Sequence, residues 1–214
     1  MRVIKLKIGE DVKRYELPTS WDEVSVGQYT SLMIAVDKED STEIELMIKS
    51  LEALADIPGG LLTKAPIKML REAYKQLGEL TSTIPNNELS RVIEIDGIEY
   101  GFIPDFDELS LGEFVDLDNY LQDGFNNLDK VFAVLYRPVV KRDGIKYTIE
   151  DYDLKDIINR RKLFNERMSI DTVYAALVFF CNIGRIHTEN TLYYLEEEIK
   201  SLSITKSSQI VEMI

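Results

Sequence analysis

The chain has 214 residues, 45% hydrophobic and 29% charged, with 11 glycines and 6 prolines, which is the composition of a folded globular chain and excludes a disordered linker. Its formal net charge of −13 argues against a role built on clustered Lys and Arg facing nucleic-acid phosphates. The single cysteine, Cys181, leaves no internal disulfide and fits synthesis in a reducing cytosol, and the longest apolar run falls short of the about 20 residues that a membrane span needs.

In chain order, Val3, Leu6 and Ile8 followed by Tyr15 and Leu17 predict a strand pair that turns around Gly9-Glu10-Asp11 and stops at Pro18. Charged and apolar residues alternate over 2–14, unlike the apolar core of a signal peptide. Ser25-Val26-Gly27-Gln28 is a capping box, in which the serine hydroxyl accepts from the third residue's N–H and the Gln reaches back. Val24 and Tyr29 are placed to staple that helix start. Thr42-Glu43-Ile44-Glu45 opens a second helix, Ile44 to Ala55, broken by Pro58-Gly59-Gly60. Pro66 suits an early helical turn, and Ile67, Leu70, Ala73, Tyr74 and Leu77 form a helical stripe. Ile84-Pro85-Asn86-Asn87 reads as a connector.

The second half begins with Val92–Ile95 and Ile98–Tyr100 around Asp96-Gly97, a type I′ hairpin signal, ended by Pro104. Ser110-Leu111-Gly112-Glu113 is another capping box, with Leu109 and Phe114 as its expected staple. An apolar helix is expected from Leu128 to Tyr136, before Pro138. Val139-Val140 and Ile145–Tyr147 flank Asp143-Gly144, a further hairpin without a counterpart in the first half, expected to project and make contacts. Thr148 is placed to cap a short helix beginning Ile149-Glu150-Asp151, and residues 153–167 read as an exposed polar helix or arm. Ser169 caps an apolar helix to Asn182 that Gly184 closes, leaving the lone His187 in the following turn. A last helix runs from about Glu189 to Leu202, and 203–214 form an amphipathic tail whose Ile210, Val211, Met213 and Ile214 suit docking on a neighbouring subunit.

Two of these stretches repeat each other. Residues 21–29 (Trp-Asp-Glu-Val-Ser-Val-Gly-Gln-Tyr) and 106–114 (Phe-Asp-Glu-Leu-Ser-Leu-Gly-Glu-Phe) align without a gap, identical at four positions and similar at five. Each copy follows a hairpin and precedes further helices, so the chain reads as two diverged repeats in a mainly helical α+β fold. The expected division is 1–86, 87–202 with the extra hairpin near 139–147, and the tail 203–214. Trp21 and Phe106 hold equivalent places and read as core anchors.

Chemistry is sparse. One histidine without a nearby cysteine or second histidine makes neither a triad nor a metal cluster. Cys181 sits in an apolar run, where it behaves as a small hydrophobe, whereas a nucleophile needs an electropositive setting. The acidic run Asp105, Asp107, Glu108, Glu113, Asp116, Asp118 lacks the EF-hand glycine and terminal glutamate. There is no Walker loop, no Gly-x-Gly-x-x-Gly, no Gly-x-Ser-x-Gly and no His-Glu-x-x-His. Arg160-Arg161-Lys162 reads as a solvated helix face before it reads as a basic patch. The expectation is therefore no enzyme, no cofactor and no metal; Glu108, Asp107 and His187 would be the first residues to test for activity.

A resemblance adds to this. Tyr15–Pro18 leading to Trp21–Tyr29, Phe102–Asp105 through Gly112–Leu117, Ala133–Pro138, and Ala175–Phe180 with Asn182 and Gly184 together resemble small proteins of tailed phages of gut Bacteroidota, the crAss-like phages among them. The resemblance spans most of the chain and its motifs are structural, so it carries no site residues over. It implies a bacteriophage virion or morphogenesis protein made in the host cytoplasm. As a structural protein it would be a head–tail connector or ring component near the portal, with packaged cargo or a tail-assembly chaperone as alternatives and an acidic regulatory binding module as a second alternative. The implied partners are portal, ring or tail proteins and further copies of the chain, with no nucleic acid and no membrane.

Overall fold

The structure, a computed structural model, describes residues 1–8, 11–37, 41–86 and 88–187. The expected helix at 189–202 and the tail with Ile210, Val211, Met213 and Ile214 lie outside the described residues. The fold is mainly helical α+β. The first repeat gives strands β1 (Arg2–Ile8) and β2 (Asp11–Leu17), then helices α1 (Val26–Val36), α2 (Glu43–Leu54) and α3 (Ile67–Thr81). The second gives β3 (Val92–Ile95), β4 (Ile98–Phe102), α4 (Leu111–Leu121), α5 (Leu128–Leu135), β5 (Tyr136–Asp143), β6 (Lys146–Ile149), α6 (Leu154–Arg167) and α7 (Ile170–His187). β1 and β2 form a two-stranded antiparallel ribbon; the others form an antiparallel sheet in the order β3-β4-β5-β6.

All three capping boxes form. Ser25, Thr42 and Ser110 each accept from the N–H three residues on, while Gln28, Glu45 and Glu113 each return a bond to the cap N–H. The duplicated stretch folds alike: Val24 N–H donates to Trp21 O at 3.2 Å and Leu109 N–H to Phe106 O at 3.3 Å. Asp96 and Gly97 both have positive φ, as the type I′ turn requires. In the β5–β6 hairpin only Gly144 does, so the central pair is Gly144-Ile145 and the turn has the type II′ pattern.

Several expectations are corrected. Val3 is exposed while Ile4 and Leu6 are buried, because the ribbon turns the side of β1 that bears those two residues to the core. Phe114 turns outward and is no buried staple, although Val24 and Tyr29 are both buried. Thr148 lies within β6 and caps nothing; Asp153 caps α6 through its bond from Lys155 N–H at 2.8 Å. α6 is not a free arm, since it buries Ile157, Arg160 and Phe164 and packs on α5. Gly184 does not close α7, which runs past it to His187, the last described residue, so that histidine is helical and does not lie in a turn after the glycine.

The extra hairpin is continuous with the main sheet. α5 passes into β5 without a loop, and β5 pairs with β4 through Pro138 opposite Tyr100. A register shift between Val139 and Lys141 then turns the strand, and β6 folds back over β4. A Cβ at Gly101 would lie 2.5 Å from the Tyr147 ring and 2.8 Å from Ile149, so this closure depends on a glycine. Only the tip projects, with Ile145 at 95% exposure.

One hydrophobic cluster runs through both repeats, from Leu6, Trp21 and Leu51 to Phe102, Phe132 and Phe164. The two halves are also tied through backbone. Val26 N–H donates to Met168 O at 3.0 Å and Ile170 N–H to Val24 O at 2.8 Å, joining the first capped helix to the α6–α7 junction.

Candidate functional site

The two repeat caps sit in different chemical surroundings, and this explains why one carries Gln and the other Glu. Gln28 Nε2 donates to Leu54 O at 3.2 Å and to Asp56 Oδ2 at 2.9 Å; a carboxylate there would face two acceptors. Glu113 Oε2 accepts from Ser110 N–H at 2.7 Å and Ser110 Oγ at 2.6 Å, and its other oxygen pairs with Arg137 Nη2 at 2.6 Å. Both members of that pair are buried. The N-terminus of α4 is thereby bolted to β5.

Around this pair lies a cleft of about 530 Å³ between the start of α4, strand β6 and residues 150–152. Asp105, Glu108, Glu113, Glu150 and Asp151 line it, with Arg137 as the one cationic residue in its wall. Glu150 also holds the buried Arg160 at 3.1 Å, and burial pushes the Arg160 guanidinium below its ordinary value despite that carboxylate. Tyr152 donates to Asp116, and burial, followed by that hydrogen-bonded carboxylate, raises the phenol well above its ordinary range. Of the run that invited a calcium reading, Asp105, Glu108 and Glu113 reach the cleft, while Asp116 pairs with Tyr152 and Asp118 accepts from Gln122. Among the described residues no group of three or more His, Cys, Asp or Glu side chains is placed to hold a metal ion.

Arg160-Arg161-Lys162 is not a patch: Arg160 turns inward, and Arg161 pairs with Asp129 at 2.8 Å. Trp21 packs edge-to-face on Tyr29 at 6.0 Å and Phe106 on Phe102 at 5.7 Å, so both repeat aromatics serve the core. No helix among the described residues is long and apolar enough to cross a membrane.

The surface holds what sequence reasoning missed. On α4, Leu111, Phe114 and Val115 are 79%, 51% and 45% exposed, and their i, i+3, i+4 spacing puts them on one face. A helix normally turns such a stripe to its core; α4 instead buries Glu113 and Leu117. The spacing of Leu111, Phe114 and Val115 was visible in the sequence, but the partner that turns Glu113 inward, Arg137, lies on a distant strand. At the contact elements read from sequence, Asp143 and Gly144 form the exposed hairpin end.

Comparison of the chain with protein-family models, with curated proteins and with solved structures finds no match.

Proposed function

We propose that this chain is a non-enzymatic structural subunit of a tailed-phage virion, a ring or connector component at the portal–tail region that works through protein–protein contacts. The observation that carries the reading is the outward apolar face of α4. A stripe of three large apolar side chains in water costs the free chain, and burying it against a partner recovers that cost. Its rigid placement supports the same reading, because the buried Glu113–Arg137 pair fixes the helix that bears it. The resemblance of the repeated stretches to small phage proteins supplies the virion setting.

The test is cross-linking mass spectrometry on purified particles of the source phage. The reading expects links from α4 or the β5–β6 tip to portal, ring or tail proteins, and links between copies of the chain. Presence in the lysate with absence from particles moves the chain to the assembly-chaperone alternative. Presence inside the capsid without links to the portal–tail region makes it cargo.

A further inference from the structure

The β1–β2 ribbon carries the opposite chemistry to α4. Its register places Val3 opposite Glu16, Lys5 opposite Arg14 and Lys7 opposite Val12, so these six share the outward face. Val3 and Val12 are 56% and 58% exposed, and Lys5, Lys7 and Arg14 are exposed as well. None of the three cations makes an ion pair among the described residues. Two like charges directly opposite each other on a ribbon are unfavourable on their own. They stand on a chain of net charge −13, where carboxylates are plentiful.

At the start of α4 the signs reverse. Asp107 and Glu108 are exposed in the turn before the helix and make no ion pair among the described residues, and Leu111, Phe114 and Val115 follow on the outward face. One surface is thus net cationic, with three cations against the single carboxylate of Glu16 and two valines beside them, and the other is anionic with larger apolar groups. The lengths also agree. The ribbon face from residue 3 to residue 7 spans about 13 Å, and the α4 face from Leu111 to Asp118 spans about 10 Å.

We infer that the ribbon of one copy docks on the N-terminal half of α4 in the next copy, with Lys5, Lys7 and Arg14 meeting Asp107 and Glu108 and the valines covering Leu111, Phe114 and Val115. The inference rests on the proposed assembly role and names the contact that builds it. Because the two surfaces differ, the contact is heterologous, and repeating it closes a ring or extends a filament. Nucleic acid is the poorer occupant of the ribbon. A duplex would approach a strongly acidic body, and exposed valines gain nothing from phosphates.

The experiment is sedimentation velocity on the full chain at low and high salt. The wild-type chain is expected to self-associate, less so at high salt. Lys5→Glu/Arg14→Glu and Asp107→Lys/Glu108→Lys should each weaken association by about tenfold or more, since each brings like charges together. Mixing the two variants should restore it, because each then offers the charge that the other lacks. Val3→Thr/Val12→Thr, with urea midpoints for every variant, separates a lost contact from a lost fold, and should also weaken association. A wild-type chain that stays monomeric at every concentration overturns the contact. So does association that neither charge reversal changes, which leaves the assembly role standing with a different contact. Duplex DNA binding that is abolished by Lys5→Glu/Arg14→Glu, with self-association intact, overturns it in favour of nucleic acid. The assembly role itself fails on a different readout, absence of the chain from particles.

Discussion

Glu113→Gln is the substitution that most sharply probes how the α4 face is held. The side chain is almost isosteric and retains an oxygen to accept from Ser110 N–H, so the helix cap survives in part. What is lost is the charge 2.6 Å from Arg137 Nη2, in a site where Glu113 and Arg137 are 5% and 7% exposed. Arg137 cannot shed its proton, and its Nε already lacks a hydrogen-bond partner among the described residues. Removing one member of a buried pair costs about 3–5 kcal/mol, because the other charge is stranded. For a chain of this size that corresponds to a fall in Tm of roughly 6–20 °C, and it consumes a large part of a total stability of about 5–15 kcal/mol. Glu45→Gln is the internal control. Glu45 makes the same capping bonds to Thr42 at 2.9 Å, but on an exposed helix start, where the change should cost about 0.5 kcal/mol or less. Removing both charges with Glu113→Leu/Arg137→Met should cost less than Glu113→Gln alone, since no charge is left buried without its partner. Urea unfolding of the four proteins measures this. If Glu113→Gln costs no more than Glu45→Gln, the pair does not hold α4, and the reasoning fails.

The two repeat glycines should respond differently to the same substitution. A Cβ at Gly27 meets the Asn165 side chain at 2.7 Å and its backbone O at 3.0 Å, so Gly27→Ala should destabilise by about 1–3 kcal/mol. At Gly112 the nearest atom is the Tyr152 ring at 3.5 Å, an ordinary contact, so Gly112→Ala should be neutral or stabilise by up to about 1 kcal/mol through helix propensity; thermal melts of both variants decide this. Gly101→Ala should push β6 off β4, lowering stability by about 1–3 kcal/mol, with amide exchange faster in β6 than in β1–β2; uniform exchange across both would contradict the closure described.

What could be read from the sequence was local. A capping box is written within four residues, so Ser25, Thr42 and Ser110 all announced their helices, and the Asp96-Gly97 turn needed only its two residues. Errors arose where a distant partner decides the outcome. The apolar pattern of β1 puts Val3 one residue out of phase with the buried Ile4, because only the core says which face of a ribbon is inward. The helix expected to end before Pro138 does so at Leu135, but the strand expected from Val139 already begins at Tyr136 and carries Pro138 inside it, two residues before a register shift that lets it turn. Gly184 looked like a cap, but the helix runs past it. The Glu113–Arg137 pair joins a helix start to a strand, and its only sequence signal was Glu where the first repeat has Gln.

The central claim is that the chain builds part of the virion. Quantitative mass spectrometry of purified particles, with the portal as the copy-number standard, tests it most directly. The account predicts a fixed, simple ratio of this chain to the portal. Absence from particles, or a copy number that varies from preparation to preparation, would contradict it.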